Sequence, residues 1–243
     1  MILRAPARIL DCTPGQFFHL RCPAHVPDQP FLRRPMSIYG YDTVRGELQF
    51  LYKVTGEGTR GLASLLPGDS LNVLGPLGQG FTIRGNWQNL LLVARGVGLA
   101  TLAPLAQEAR RLGRNLTAIC SARAPGYLMS VDHFTGLGAR VITVTDSEGT
   151  SGTDNIRRIV EREIAEQGVD AIYTCGSNRL LTLLQAIQAE HGIPGEIALE
   201  QQMACGLGMC QCCVRAFRRN GRIIHDRVCC EGPVFDMAEA MPW

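Results

Sequence analysis

A group of cysteines near the C-terminal end carries the most specific chemistry in this sequence. Cys205, Cys210 and Cys213 stand in the spacing C-x4-C-x2-C within Met203-Ala-Cys-Gly-Leu-Gly-Met-Cys-Gln-Cys-Cys213, and Cys229 and Cys230 follow after a basic excursion. That spacing is the plant-type pattern for a [2Fe-2S] cluster, whose irons take four thiolates brought to one point. The loop can present three sulfurs over so short a stretch only if the chain turns tightly. Gly206 and Gly208 suit this, because glycine accepts positive φ and lets backbone N–H groups approach inorganic sulfide. A zinc site would pair two C-x2-4-C knuckles. Cys210 and Cys213 make one, but Cys229 and Cys230 are adjacent and make no second. Disulfides are disfavoured by the crowding of the cysteines and the lack of a secretory signal. Cys212, inside the C-x2-C pair, is expected to point away from the cluster. Spacing alone does not choose between Cys229 and Cys230 as the fourth ligand.

A second set of residues suits an anionic ligand. In Arg33-Arg34-Pro35-Met36-Ser37, strand periodicity presents an arginine and a serine to one ligand, and the arginine fork matches a pyrophosphate. By itself the tetrapeptide is equally a solvated strand end. Downstream, Lys53-Val-Thr-Gly56-Glu-Gly58-Thr59 leads into a helix expected over residues 59–66, whose start offers free N–H groups to an anion. Gly75-Pro-Leu-Gly78-Gln-Gly80-Phe81 reads as a loop packed against a ligand or a domain joint.

A third stretch, Arg95-Gly96-Val97-Gly98, follows the apolar strand Leu90–Ala94 and opens a helix. It lacks the third glycine of a dinucleotide fingerprint. Its place at the carboxyl end of a sheet strand still points to a nucleotide-facing turn at Gly96 and Gly98. Cys175, ending another strand, reads either as a small buried apolar residue or as one facing a nicotinamide ring.

These stretches need three supports. Residues 1–85 read as a small antiparallel β-barrel, with strands near 16–21, 36–39 and 47–54. His19 and His25 in this region read as surface or loop histidines. Residues 86–199 alternate strand and helix and predict a doubly wound parallel sheet. Residues 200–243 form a small cysteine lobe. The 243 residues are 46% hydrophobic and 19% charged, with a net charge of +2, enough to bury a large core and too little charge to favour nucleic acid. No run suits a membrane span, and ten cysteines without a signal segment suit the cytoplasm.

Taken in order, the barrel, Arg-Pro-x-Ser, Gly-x-Gly-Thr, Gly-Pro-Leu-Gly-x-Gly-Phe, nucleotide domain and Met-Ala-Cys-Gly-x-Gly-x-Cys-x-x-Cys, with Gly232-Pro-Val-Phe235 behind the last cysteines, resemble the electron-transfer subunits of type B dihydroorotate dehydrogenases. These belong to the ferredoxin–NADP reductase-like superfamily. The resemblance implies FAD contacts at Arg34, Pro35, Met36, Ser37, Leu51, Tyr52, Lys53, Gly58 and Thr59, with Glu200 near the flavin. It implies the [2Fe-2S] ligands Cys205, Cys210, Cys213 and Cys229, and NAD(P) at the nucleotide domain. Arg95 stands where the family often has glycine, and Arg179 lies where it has Pro-x-Pro-Met; either could pair with a nucleotide phosphate or close that site. The implied activity passes electrons between NAD(P)H, FAD and the cluster, with no catalytic acid or base. The implied partner is a catalytic flavoprotein subunit in a heteromeric complex of pyrimidine biosynthesis. Arg215, Arg218, Arg219 and Arg222 would form either a solvated hairpin or a surface for that partner. Two alternatives remain open: a reductase component for another oxidoreductase, or a redox-sensing or assembly module without turnover.

Overall fold

The computed structural model describes residues 1–24 and 30–243, so His25 lies outside the described residues. The N-terminal third contains β1 (Ile2–Arg4), β2 (Phe17–Leu20), β3 (Arg34–Ser37), β4 (Gly40–Asp42), β5 (Glu47–Gln49), the short helix α1 (Glu57–Ala63) and β6 (Val73–Leu77). They form two three-stranded antiparallel sheets, ordered β1-β5-β4 and β3-β2-β6. Between them sits a core of Leu10, Phe18, Leu20, Ile38, Leu48, Phe50 and Leu62. Period-2 alternation sends Phe18 and Leu20 of β2 into this core. Phe17 belongs to a different apolar cluster, so the other face of β2 meets the rest of the molecule.

Next come β7 (Asn89–Arg95), α2 (Gly98–Arg111), β8 (Asn115–Ala122), α3 (Val131–Gly136), β9 (Arg140–Thr145), α4 (Thr153–Gln167), β10 (Ala171–Cys175), α5 (Asn178–His191) and β11 (Gly195–Ala198). The sequence pattern suggests a helix near residues 127–137; the structure has instead a 3-10 turn at Pro125–Tyr127 followed by the short α3. Strands β7 to β11 are parallel in the order β11-β10-β7-β8-β9. Residues of β7 alternate between two cores. Leu91 and Val93 join Ile156 and Val160 of α4 and Leu184 of α5, while Leu90, Leu92 and Ala94 join Leu99, Leu102 and Leu105 of α2. A strand buried on both faces is apolar at successive positions, which is why Leu90–Ala94 reads as one continuous hydrophobic run. The sheet is doubly wound, as its pattern predicts. Its switch point lies between β7 and β10, where the connections reverse direction.

The C-terminal segment holds the hairpin β12 (Val214–Arg219) and β13 (Arg222–Arg227), then β14 (Val234–Asp236). The hairpin turn is Asn220-Gly221, both at positive φ (51° and 74°), the geometry of a tight two-residue hairpin loop. Strand β14 pairs antiparallel with β11 and so extends the large sheet by one edge strand. Phe217 and Phe235 stack with ring centroids 4.2 Å apart. Cys213 and Cys229 share their apolar cluster with Leu91, Val93 and Ile197. Among the described residues, no helix is long and apolar enough to cross a membrane.

Candidate functional site

The cysteine loop is built by backbone geometry. Gly206, Gly208 and Gln211 all have positive φ (69°, 79° and 59°), so the chain reverses repeatedly between Cys205 and Cys213. Those reversals turn N–H groups inward. Leu207 donates to Cys205 Sγ at 3.4 Å, Gly208 to Cys229 Sγ at 3.2 Å, and Cys229 to Cys213 Sγ at 3.4 Å. Donors aimed at sulfur favour the thiolate. The N–H groups of Leu207 and Cys210, helped by the Cys210 thiol, bring Cys205 down to about 6. At Cys229 burial wins and pushes the thiol up, with Cys213 adding to it.

Among the four expected ligands, side-chain contacts join Cys205 with Cys210 and Cys213 with Cys229. A tetrahedral zinc site with Zn–S near 2.3 Å would hold all four sulfurs roughly 3.8 Å apart. Among the described residues, only Glu161, Glu190 and His191 bring three such ligand atoms within 4.8 Å of one another. Two separated pairs with N–H donors fit a dinuclear cluster better than a single ion. Cys230 Sγ lies 3.8 Å from Cys229 Sγ but is the more exposed of the two, and Cys212 is exposed. Arg227 ties the loop together from outside, donating to the Gly208 carbonyl at 2.8 Å and forming a two-pronged pair with Glu231.

A cavity of about 1000 Å³ opens between the barrel, the N-terminal end of α2 and the segment leading to the cysteines. It is lined by Arg34, Pro35, Met36 and Ser37 of β3, by Leu51, Tyr52 and Lys53 after β5, by Thr59 of α1 and by Glu200. Gly58 sits behind this wall: a Cβ there would come within 2.8 Å of Arg34 Nε, so the missing side chain lets the arginine lie across the helix start. Thr59 Oγ1 accepts the N–H groups of Thr55 and Gly56, which shapes the turn before α1. Leu51 and Tyr52 also line a second cavity of about 1010 Å³ under β1.

Sequence reasoning missed several other residues of the first cavity: Phe17, Val97, Ala100, Thr101 and Gln201 to Met203. Val97 stands between the two glycines singled out from sequence. Glu200 is open to the cavity yet ringed by protein, and this desolvation raises its carboxyl pKa.

At the switch point, Gly98 starts α2 against β10. A Cβ on it would lie 2.6 Å from the Cys175 carbonyl oxygen, so glycine sets the helix close to the sheet. Gly96, at φ 57°, makes the turn with open space beside it. Cys175 is fully buried, and burial lifts its thiol to about 12, which fits a small apolar filler. Arg95 is already engaged: it grips Asp146 with both nitrogens at 2.5 and 3.1 Å and reaches Ser121 Oγ at 3.1 Å. Arg179 donates to the Ser151 carbonyl at 3.3 Å.

Two other expectations change. His19 is neither a surface nor a loop residue. It lies on β2 with no solvent exposure, neither ring nitrogen has a partner among the described residues, and burial with nearby Arg33 lowers its pKa. The arginines of the hairpin are not a uniform patch either. Arg219 pairs with Asp226 and Glu239, and Arg215 lies over the Trp243 ring at 4.2 Å.

Known proteins match this arrangement from end to end. The family model described as the iron–sulfur cluster binding domain of dihydroorotate dehydrogenase B matches residues 200–240. The chain is 34% identical over 222 residues to the electron transfer subunit of dihydroorotate dehydrogenase B (NAD(+)) from Desulforamulus reducens, covering 91% of this chain and 84% of that one. It is 35% identical over 229 residues to the same-named subunit from Caldanaerobacter subterraneus subsp. tengcongensis, covering 94% and 87%. Among solved structures, an NADH-dependent reduced ferredoxin–NADP oxidoreductase studied for flavin-based electron bifurcation superposes with a TM-score of 0.79 at 28% identity, covering 99% of this chain and 84% of that chain. A ferredoxin–NADP+ reductase from Plasmodium falciparum shares the fold, with a TM-score of 0.58 at 12% identity over 78% and 83% of the two chains. With more than nine-tenths of its length aligned to two such subunits, the chain belongs to the family of dihydroorotate dehydrogenase B electron transfer subunits.

Proposed function

We propose that this chain carries electrons between a pyridine nucleotide and a catalytic dihydroorotate dehydrogenase subunit, through FAD in the cavity and a [2Fe-2S] cluster in the cysteine loop. The observation that carries the proposal is a shared wall. Glu200, Gln201, Gln202 and Met203 line the cavity, and two residues beyond Met203 the cysteine loop begins at Cys205. A ligand in the cavity and a cluster in the loop are thus neighbours along one continuous segment. When bound, flavin takes two electrons together from a nicotinamide and releases them singly, which an iron–sulfur centre requires.

The protein's own part is binding and electrostatics. Arg34 supplies a forked cation for a pyrophosphate, and Thr59, which shapes the turn before α1, lines the cavity beside it. Pro35, Met36, Ser37, Leu51, Tyr52 and Lys53 shape the remaining wall. Cys205 and Cys210 would hold one iron, and Cys213 and Cys229 the other. The N–H groups of Leu207 and Gly208 stabilise charge on the sulfurs. The nucleotide would lie at the carboxyl ends of β7 and β10, where Gly96 leaves open space and Gly98 seats α2 close to the sheet. The division of labour follows residues 1–85, 86–199 and 200–243.

Metal analysis and spectroscopy of anaerobically isolated protein test this reading. Wild-type protein should contain FAD and equimolar iron and sulfide, and NADH or NADPH should bleach the flavin. Cys210→Ser should lose the cluster absorption and keep FAD. Loss of FAD together with the cluster in a normally folded Cys210→Ser would refute separate sites. The structural match to a ferredoxin–NADP oxidoreductase favours one second reading, service to a different oxidoreductase partner. The polypeptide that co-purifies with the native complex separates the two.

A further inference from the structure

We propose that His19 is a positioning residue for the iron–sulfur centre: its imidazole donates an N–H bond to the sulfur shell beside Cys205 and so joins the flavin barrel to the cluster loop. This rests on the reading of Cys205, Cys210, Cys213 and Cys229 as ligands. Strand β2 sends Phe18 and Leu20 into the barrel core and turns Phe17 and His19 the other way. His19 is fully buried, and among the described residues neither ring nitrogen has a hydrogen-bond partner. Buried polar groups without partners are rare in folded proteins, so such a ring marks a place where a partner belongs.

The direction of the ring identifies that partner. Its Cε1 and Nε2 atoms lie 2.9 Å, and its Cδ2 3.1 Å, from the point where a Cβ on Gly206 would stand. The Nε2 edge therefore faces the residue that immediately follows Cys205. Gly206, at φ 69°, is needed both for the turn and for this close approach. The loop's own N–H donors include Leu207 and Gly208; His19 approaches from the barrel side, on β2. The same strand also faces the other ligand. Phe17 lines the flavin cavity, with its ring 5.7 Å from the His19 ring, and His19 pairs across the sheet with Pro35, another cavity residue. An N–H bond to a cluster sulfur stabilises the more negative, reduced state, so its loss lowers the reduction potential.

The test uses the whole protein with its cofactors, reduced anaerobically. With histidine labelled by 15N, electron spin echo spectroscopy of the wild type should show a histidine nitrogen coupled to the cluster. His19→Phe should abolish that coupling and keep iron, sulfide and FAD at wild-type content. In an EPR-monitored redox titration it should shift the cluster's reduction equilibrium about tenfold, or 59 mV for one electron, toward the oxidised form. The flavin potential should stay unchanged, and His19→Gln, which keeps an N–H donor, should recover most of the shift. An unchanged cluster potential in His19→Phe overturns the proposal. So does a wild-type spectrum without a histidine nitrogen coupling, a result that needs no variant to fold. Wild-type protein without iron and sulfide would overturn the cluster reading itself, which is a different failure.

Discussion

Replacing Gly208 with alanine should release the cluster while leaving the flavin in place. Two costs add. At φ 79°, a side chain must adopt the left-handed conformation, at roughly 1–2 kcal/mol. The new Cβ would also stand 2.5 Å from Cys230 Sγ, well inside the roughly 3.5–4.0 Å of an ordinary contact. Relief requires the loop to retreat, and the retreat takes the Gly208 N–H away from Cys229 Sγ, now at 3.2 Å. A hydrogen bond to a charged group contributes about 1.5–3 kcal/mol. The sum, about 2.5–5 kcal/mol, corresponds to roughly a hundredfold to a few thousandfold weaker hold on the cluster.

The assay is the decay of cluster absorption under an iron chelator, with FAD content followed in parallel. Gly221→Ala is the control: its φ is 74°, and a Cβ there meets nothing within 4 Å. It carries the conformational cost alone, far from any sulfur donor, and should release iron at the wild-type rate. If Gly208→Ala holds its cluster as firmly as Gly221→Ala, or loses FAD in step with iron, the geometric reasoning fails.

Arg34→Ala should weaken FAD binding by about 10- to 100-fold, the loss of one charge-assisted phosphate contact. Flavin fluorescence on dilution measures this, and unchanged affinity would remove Arg34 from the site. Tyr173→Phe removes a 2.6 Å bond from the phenol to the Thr82 carbonyl and should cost about 1 kcal/mol in denaturant unfolding, with FAD binding intact. A loss within error of zero would mean that water replaces the phenol there. Glu200→Gln should raise the melting temperature near neutral pH. Desolvation raises the folded-state pKa of Glu200, so its favourable protonated form is complete below the unfolded value of about 4.3 and is lost as pH rises through the folded value. The advantage of the glutamine should close toward about pH 4; an advantage independent of pH would refute the electrostatic cause.

Much of this arrangement is legible in residue order because its causes are local. The cysteine loop depends on spacing and on glycines at positive φ, both visible in a short stretch. The strand Leu90–Ala94 and the helix at 153–167 show their burial in hydrophobic periodicity. The missed features depend on partners distant in sequence. Val234–Asp236 becomes a sheet edge because β11 lies beside it, and a three-residue strand has no periodicity to display. His19 sits in an otherwise apolar strand, and Gly206 reaches its ring from far along the chain. Arg95 reads as a free cation until β8 and β9 bring Ser121 and Asp146 to it. Val97, Ala100 and Thr101 reach the cavity beside Arg34 and Glu200 because Gly98 seats α2 against Cys175.

The splice of β14 into the large sheet changes what losing iron would mean. A metal-binding appendage on a flexible tether could empty and refill without troubling its host. Here two of the sulfurs share a hydrophobic interior with the sheet that would receive the nucleotide. The redox centre would be mounted on the same slab as the nucleotide, so a swing of the lobe would not widen the gap between them. Oxidative loss of the cluster would then leave its sulfurs facing the interior of the slab, with the fold around them still standing.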